Sequence, residues 1–266
     1  MVLTIAGFDP SSGAGIAADL RTFAAHGCYG IACITSLTVQ STRGVKKVTA
    51  LAPALVSETL RELWEDFDVS ATKIGMLGSI DVARAVLRFL RKNHPPNVVL
   101  DPVLRSSSGA RLLQANALPV LRRMLPFAKI VTPNISEALE LAALGPTRPV
   151  GAFSLARALD VAARLRELGA RDIVITGGDT VLDPRKAIDF LFAAGSPPRL
   201  LSSPRIKARN THGTGCSFAS AIAANLAKKN DLVKSVRRAK QYVLAGIQMG
   251  PNVGRGPFRP ACAPNS

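Results

Sequence analysis

Short apolar runs alternate with longer amphipathic ones along the whole chain, and this alternation restricts its possible folds more than any single residue does. Strands are predicted at 2–6, 30–35, 45–50, 71–74, 98–100, 129–131, 172–175, 187–192 and 200–203. Helical patterns fill the gaps at 15–25, 53–66, 79–92, 114–125, 136–144, 154–168, 214–228 and 232–249. Pro53 suits a first helical turn and Gly169 a helix end. Strands that alternate with helices imply a mostly parallel sheet covered on both faces. In such sheets ligands bind beyond the carboxyl ends of the strands. Gly7, Gln40, Gly75, Asp101, Thr132 and Gly177 fall at those ends, so one composite site is expected there.

The chain has 266 residues, 47% of them hydrophobic, enough for a large core. No low-complexity linker divides it, so residues 1–266 are expected to form a single α/β domain. Residues 145–154 look like a loop between helices, and the Gly/Pro/Arg-rich tail from Gly250 looks like a surface strap or a partly disordered end. No run of 18 apolar residues predicts a membrane span, and the N-terminus enters a strand without a basic leader. Cys28, Cys33, Cys216 and Cys262 form no CxxC pair and read as free thiols of a reducing compartment. A soluble cytoplasmic protein is expected. The net charge is +16, but the basic residues fall at helical spacings and helix ends, and one Trp and two Tyr leave few stacking platforms. The expectation is a basic surface that attracts anionic substrates, with no specific nucleic-acid partner.

Residues 209–218 read RNTHGTGCSF and run into an alanine-rich helical segment. Glycines there let the backbone approach a ligand and aim several N–H groups at one spot, and a helix start adds partial positive charge. Such a loop suits an anionic group in transfer, most plainly a phosphoryl group. In that field the Cys216 thiol is expected below its free value of about 8.5. The opening segment carries a strand, a Gly/Ser/Pro loop and a helix, and Gly13 to Ala18 fit a loose GxGxxA pattern. A dinucleotide fingerprint would follow its strand directly and find an acidic residue about 20 positions on. No Asp or Glu lies between Asp19 and Glu58, so a loop that encloses a substrate is the better reading.

Together these segments resemble the hydroxymethylpyrimidine and phosphomethylpyrimidine kinases of thiamin biosynthesis, within the ribokinase-like fold. The resemblance rests on TIAGFDPSSGAG at 4–15 with Asp19, GCYG at 27–30, ITSLTVQSTRGV at 34–45 and KIGML at 73–77. DPV at 101–103, Ser108 with Gly109, TPN at 132–134 with Glu137, and NTHGTGC at 210–216 complete it, in family order across nearly the whole chain. The resemblance implies a three-layer αβα kinase with ATP and Mg²⁺ as cofactors, and an aminopyrimidine alcohol, then its monophosphate, as acceptor. It also implies a homodimer and no membrane partner. Pyridoxine or pyridoxal kinase is the alternative within the fold, and a non-catalytic ribokinase-like binding protein the alternative outside enzymes. Two departures stand out: Thr176 occupies the place of a Lys in the usual Lys-Gly-Gly, and the tail after Gly254 ends early.

The roles implied are as follows. Cys216 is the general base or charge-placing group, and Gly213, Thr214 and Gly215 supply amides to the transferring phosphoryl. Gln40 follows Val39 at a strand end, and its amide can give one hydrogen bond and take another, matching a ring nitrogen and exocyclic amine. Gly7, Met76 and Val103 border the ring, although the last two could equally be core. Asp19 either binds the hydroxymethyl group or is a first-turn helix residue. Asp101 and Glu137 are the metal carboxylates, since Mg²⁺ with a nucleotide needs one or two. Asn134 caps a helix beside the phosphates, Thr176, Gly178 and Thr211 border the nucleotide, and His212 shapes its loop.

Overall fold

The computed structural model describes residues 1–145, 153–178, 183–206, 208 and 211–261. Its centre is one sheet of nine strands in the order β3-β2-β1-β4-β5-β6-β7-β8-β9. They are β1 (Val2–Phe8), β2 (Gly30–Ser41), β3 (Gly44–Ala50), β4 (Ala71–Ile74), β5 (Val98–Leu100), β6 (Ile130–Val131), β7 (Asp172–Ile175), β8 (Lys186–Phe192) and β9 (Arg199–Pro204). From β2 to β7 neighbouring strands run parallel, and only β3, β8 and β9 join antiparallel. Strands β4 to β7 are buried along their whole length. That is why they read as continuous apolar runs rather than as alternating ones.

Helices cover both faces. On one face α1 (Gly15–Ala25), α7 (Thr214–Ala227) and α8 (Leu232–Met249) pack through Phe23, Phe218, Ile222 and Val236. The other face carries α2 (Pro53–Asp66), α3 (Ile80–Asn93), α4 (Leu118–Arg122), α5 (Ile135–Leu141) and α6 (Leu155–Glu167), around Leu60, Val86, Leu90 and Leu165. This is the expected three-layer αβα arrangement. The helix predicted at 114–125 is instead three short pieces: a 3₁₀ turn at Ala115–Ala117, α4, and a second 3₁₀ turn at Leu125–Phe127. Pro119 and Pro126 each open a new piece, because proline has no N–H to continue the one before.

Strand β2 runs six residues past the predicted end at Thr35, pairing with β3 from Ser36 to Ser41. The tail is a strap. Gly256 N–H donates to Thr42 Oγ1 and Phe258 N–H to Thr42 O at the β2–β3 turn. Further on, His212 N–H donates to Arg259 O and Ala261 N–H to His212 O. The strap therefore ties the hairpin that carries Gln40 to the His212 segment that leads into α7. The predicted loop at 145–154 lies mostly outside the described residues, as does Cys262.

Candidate active site

A cavity of about 600 Å³ opens over the carboxyl ends of the strands, the size range of a small-molecule site. Gly7, Gln40, Met76, Asp101, Val103 and Asn134 border it, as do Glu137, Thr176, Gly178 and Thr211 to Cys216. The structure thus brings together every predicted site residue except Asp19. Asp19 is fully buried behind the cavity, where both its oxygens pair with Lys73 Nζ at 3.1 and 2.9 Å. Thr4 Oγ1 and Ser220 Oγ also donate to it, at 2.6 and 2.7 Å. A carboxylate so enclosed has no face left for a substrate hydroxyl, so the substrate-binding expectation for Asp19 is corrected. Burial alone would strip the Lys73 proton, but Asp19 holds its pKa above the ordinary lysine value.

Cys216 sits in the first turn of α7, half-buried, with its thiol facing the charges of Lys73, Asp101 and Asp19. Its pKa is not lowered as expected. Burial pushes it up to about 12, and Asp101 and Asp19 add to this against the opposing charge of Lys73 and the Gly15 N–H. Desolvation beside two carboxylates, which the sequence does not reveal, sets the direction here. Burial likewise pushes Asp101 up to about 6, against the pull of Lys73. Gly15 can close against β1 only because it lacks a Cβ, which would overlap Gly7 O.

His212 is buried and bonds with three neighbours. Its Nε2 lies 2.8 Å from Asp9 Oδ2 and 3.0 Å from the Gln40 amide, and its Nδ1 lies 3.3 Å from Ser107 Oγ. Burial would raise the Asp9 carboxyl, but hydrogen bonds from His212 and Ser11 hold it below the ordinary value. Sequence reasoning passed over Asp9 and placed His212 as a loop former, with a direct catalytic role as the lesser alternative. The available signal was an acid just past the end of a parallel strand.

Glu137 closes a capping box with Asn134: the Asn134 side chain accepts from Glu137 N–H, and Glu137 Oε2 accepts from Asn134 N–H. Oε1 accepts from Leu104 N–H at 3.2 Å. Burial pushes its carboxyl up to about 8, and the nearby Asp101 adds to it. An acid raised by folding stabilises the fold fully below its unfolded value of 4.5, and that contribution is lost as pH climbs through about 8. The thermal midpoint of Glu137→Gln should therefore fall less than that of the parent between these limits, read by melts across pH. Equal slopes would mean that Glu137 is ionised throughout. Asp101 Oδ2 and Thr132 Oγ1 border the cavity, buried and without a hydrogen-bond partner among the described residues. Such oxygens, with Glu137 nearby, fit a hard divalent cation that is completed by phosphate and water.

Towards the β9 edge the cavity wall turns apolar, with Ala187, Pro204, Ile206, Val243, Leu244 and Ile247. These carried no sequence signal, because each is an ordinary apolar residue of its element. Thr176 borders this region and pairs with Asn134 in a short bridge. Asp189 Oδ1 accepts from Gly177 N–H, and its Oδ2 binds Lys240 Nζ at 2.6 Å.

An open α/β sheet with an amide-rich helix start, a carboxylate pair and an apolar base-sized wall around one cavity defines a ribokinase-like small-molecule kinase. The family profile of phosphomethylpyrimidine kinase matches residues 9–260, and the chain belongs to that family. It is 38% identical to the hydroxymethylpyrimidine/phosphomethylpyrimidine kinase of Escherichia coli, over 92% of this chain and 90% of that protein. It is 40% identical to the thiamine biosynthesis bifunctional protein ThiED of Geobacter sulfurreducens, over 96% of this chain but only half of that protein's length. The chain thus spans about half of such bifunctional relatives. The solved ADP complex of Bacillus subtilis pyridoxal kinase superposes with a TM-score of 0.84 at 30% identity, covering 95% of this chain and 93% of that one. No described helix is long and apolar enough to cross a membrane.

Proposed function

We propose that the chain, acting as one domain, transfers the γ-phosphoryl group of ATP to the alcohol of 4-amino-5-hydroxymethyl-2-methylpyrimidine and then to its monophosphate. The observation that carries this reading is the meeting of Gln40, Cys216 and the Asp101–Glu137 pair around one cavity. Gln40 reads the aminopyrimidine edge between Met76 and Val103. The first amides of α7 have no acceptor within the helix and face the transferring group. Cys216 holds its proton in the free protein and lies where the acceptor oxygen must lose one. Asp101 and Glu137, with Asn134, would hold Mg²⁺, which supplies positive charge to the phosphate oxygens. Thr211, Thr176 and Gly178 border the phosphates and the apolar wall holds the base. A homodimer belongs to this reading and is supported by Leu37 and Val39, 46% and 56% exposed on β2; solution mass tests it. Release of ADP from MgATP with the aminopyrimidine alcohol, compared with pyridoxal, tests the function. Turnover on pyridoxal alone, or on neither, overturns it.

Gln40→Leu should weaken aminopyrimidine binding by about 1–3 kcal/mol, because polar atoms on the ligand edge lose their partner. Nucleotide affinity should stay unchanged. Unaltered calorimetric affinity for the alcohol would remove Gln40 from the edge-reading role.

Thr176 brings no charge to the phosphates, but Lys240 lies next to its loop through Asp189. Thr176→Lys should therefore set two ammonium groups against each other and lower turnover or the melting temperature. A several-fold gain in turnover would instead mean that this position wants a cation.

A further inference from the structure

Two groups approach one nitrogen of His212. Asp9 Oδ2 stands 2.8 Å from Nε2 and the Gln40 amide 3.0 Å from the same atom. A neutral imidazole nitrogen either donates or accepts, never both. The ionised Asp9 carboxylate can only accept, so Nε2 carries the proton. A protonated Nε2 cannot accept from an amide N–H, so the Gln40 atom turned to the ring is its carbonyl oxygen. The nitrogen and oxygen of such an amide are distinguished only by their bonding network.

Thr38 leads to the same orientation independently. Its hydroxyl has one proton and two neighbours, Phe8 O at 3.0 Å and the Gln40 amide at 3.3 Å. Phe8 O can only accept, so it takes the proton. The Thr38 oxygen then accepts from Gln40, which must turn its NH₂ that way. In the neutral ring Nδ1 is then the bare nitrogen, and the Ser107 hydroxyl stands 3.3 Å from it as a donor. Every donor in the set except the second Gln40 N–H then meets an acceptor. The His212 backbone is clamped on both sides by Arg259 O and Ala261 N, which fixes where the ring departs from the chain.

One Gln40 N–H is used on Thr38, and the amide borders the cavity. We infer that Asp9 and His212 are specificity-determining positioning residues. Together they hold the Gln40 amide with its free N–H towards the cavity, so the site selects a ligand that offers an unprotonated ring nitrogen there. A ligand with a C–H or a protonated nitrogen at that point leaves the donor unmatched. The selectivity part rests on the aminopyrimidine reading of the cavity, whereas the orientation of the lock does not.

The experiment has two arms. Nitrogen-15 NMR of the His212 ring in the ligand-free full chain should report the Nε2–H tautomer, and the Nδ1–H tautomer would overturn the lock outright. Asp9→Asn removes the obligate acceptor: Oδ2 also takes the Ala14 N–H, so the new amide can turn either its oxygen or its nitrogen to Nε2, the ring proton is no longer pinned there and Gln40 is released to turn. Calorimetry then compares the aminopyrimidine alcohol with an analogue in which CH replaces the ring nitrogen. The parent protein should prefer the nitrogen ring by about tenfold, the value of one hydrogen bond, and folded Asp9→Asn should lose most of that preference. An undiminished preference in folded Asp9→Asn overturns the positioning role. Should that variant not fold, the parent tautomer and the parent preference still judge the proposal. Failure of both alcohols to bind overturns the aminopyrimidine reading and the selectivity with it, while the tautomer still decides the lock.

Discussion

Cys216→Ala should lower turnover by about 10²–10⁴-fold, the usual cost of losing a positioned acid–base group, and raise the Michaelis constants far less. The thiol lies in the first turn of α7, borders the cavity and stands in the field of Asp101 and Lys73. With its pKa pushed up to about 12, first by burial and then by the carboxylates around it, it is protonated in the free protein, so its use as a base depends on offsetting both. Cys216→Ser separates chemistry from packing, because serine keeps a small polar group at that position but lacks the thiol. Steady-state ADP release from both variants decides the matter. Near-parental turnover in Cys216→Ala would leave Cys216 as a packing residue.

Gly213→Ala should be nearly as damaging, for a different reason. Gly213 is the N-cap of α7 with φ of 78°, a left-handed conformation that costs other residues about 1–2 kcal/mol. A Cβ there would also overlap the carbonyl oxygen of Gly13 and come within 3.2 Å of Ala14 Cα. Both obstacles are backbone, so the loop itself must move, and with it the α7 amides and Cys216. A displacement of about 1 Å at a reacting centre can cost 10²-fold in rate. The expected result is a rate loss of that order together with a lower melting temperature. Unchanged turnover in a folded Gly213→Ala protein would mean that the helix start does not contact the transferring group.

The layers of this protein were legible in its sequence because they follow from local periodicity. Buried parallel strands read as short apolar runs, and β4, β5 and β7 begin and end where those runs do. The loop at 211–216 and Asp101 at the end of β5 were legible too, since parallel topology sends all such ends to one side, whereas Asp9 past the end of β1 was passed over. The broken segment at 114–127 was misread because the apolar spacing persists through Pro119 and Pro126. Only tertiary structure decided which way Asp19 faces, since its partner Lys73 is 54 residues away and the ion pair turns both side chains inward. It also decided the Cys216 proton, through burial beside Asp101, and the bonding of His212 to Asp9 and Gln40, which stand 203 and 172 residues off along the chain. Periodicity is a property of neighbours in sequence, whereas a charge, a proton or an amide orientation is set by whichever groups the fold brings within hydrogen-bonding distance.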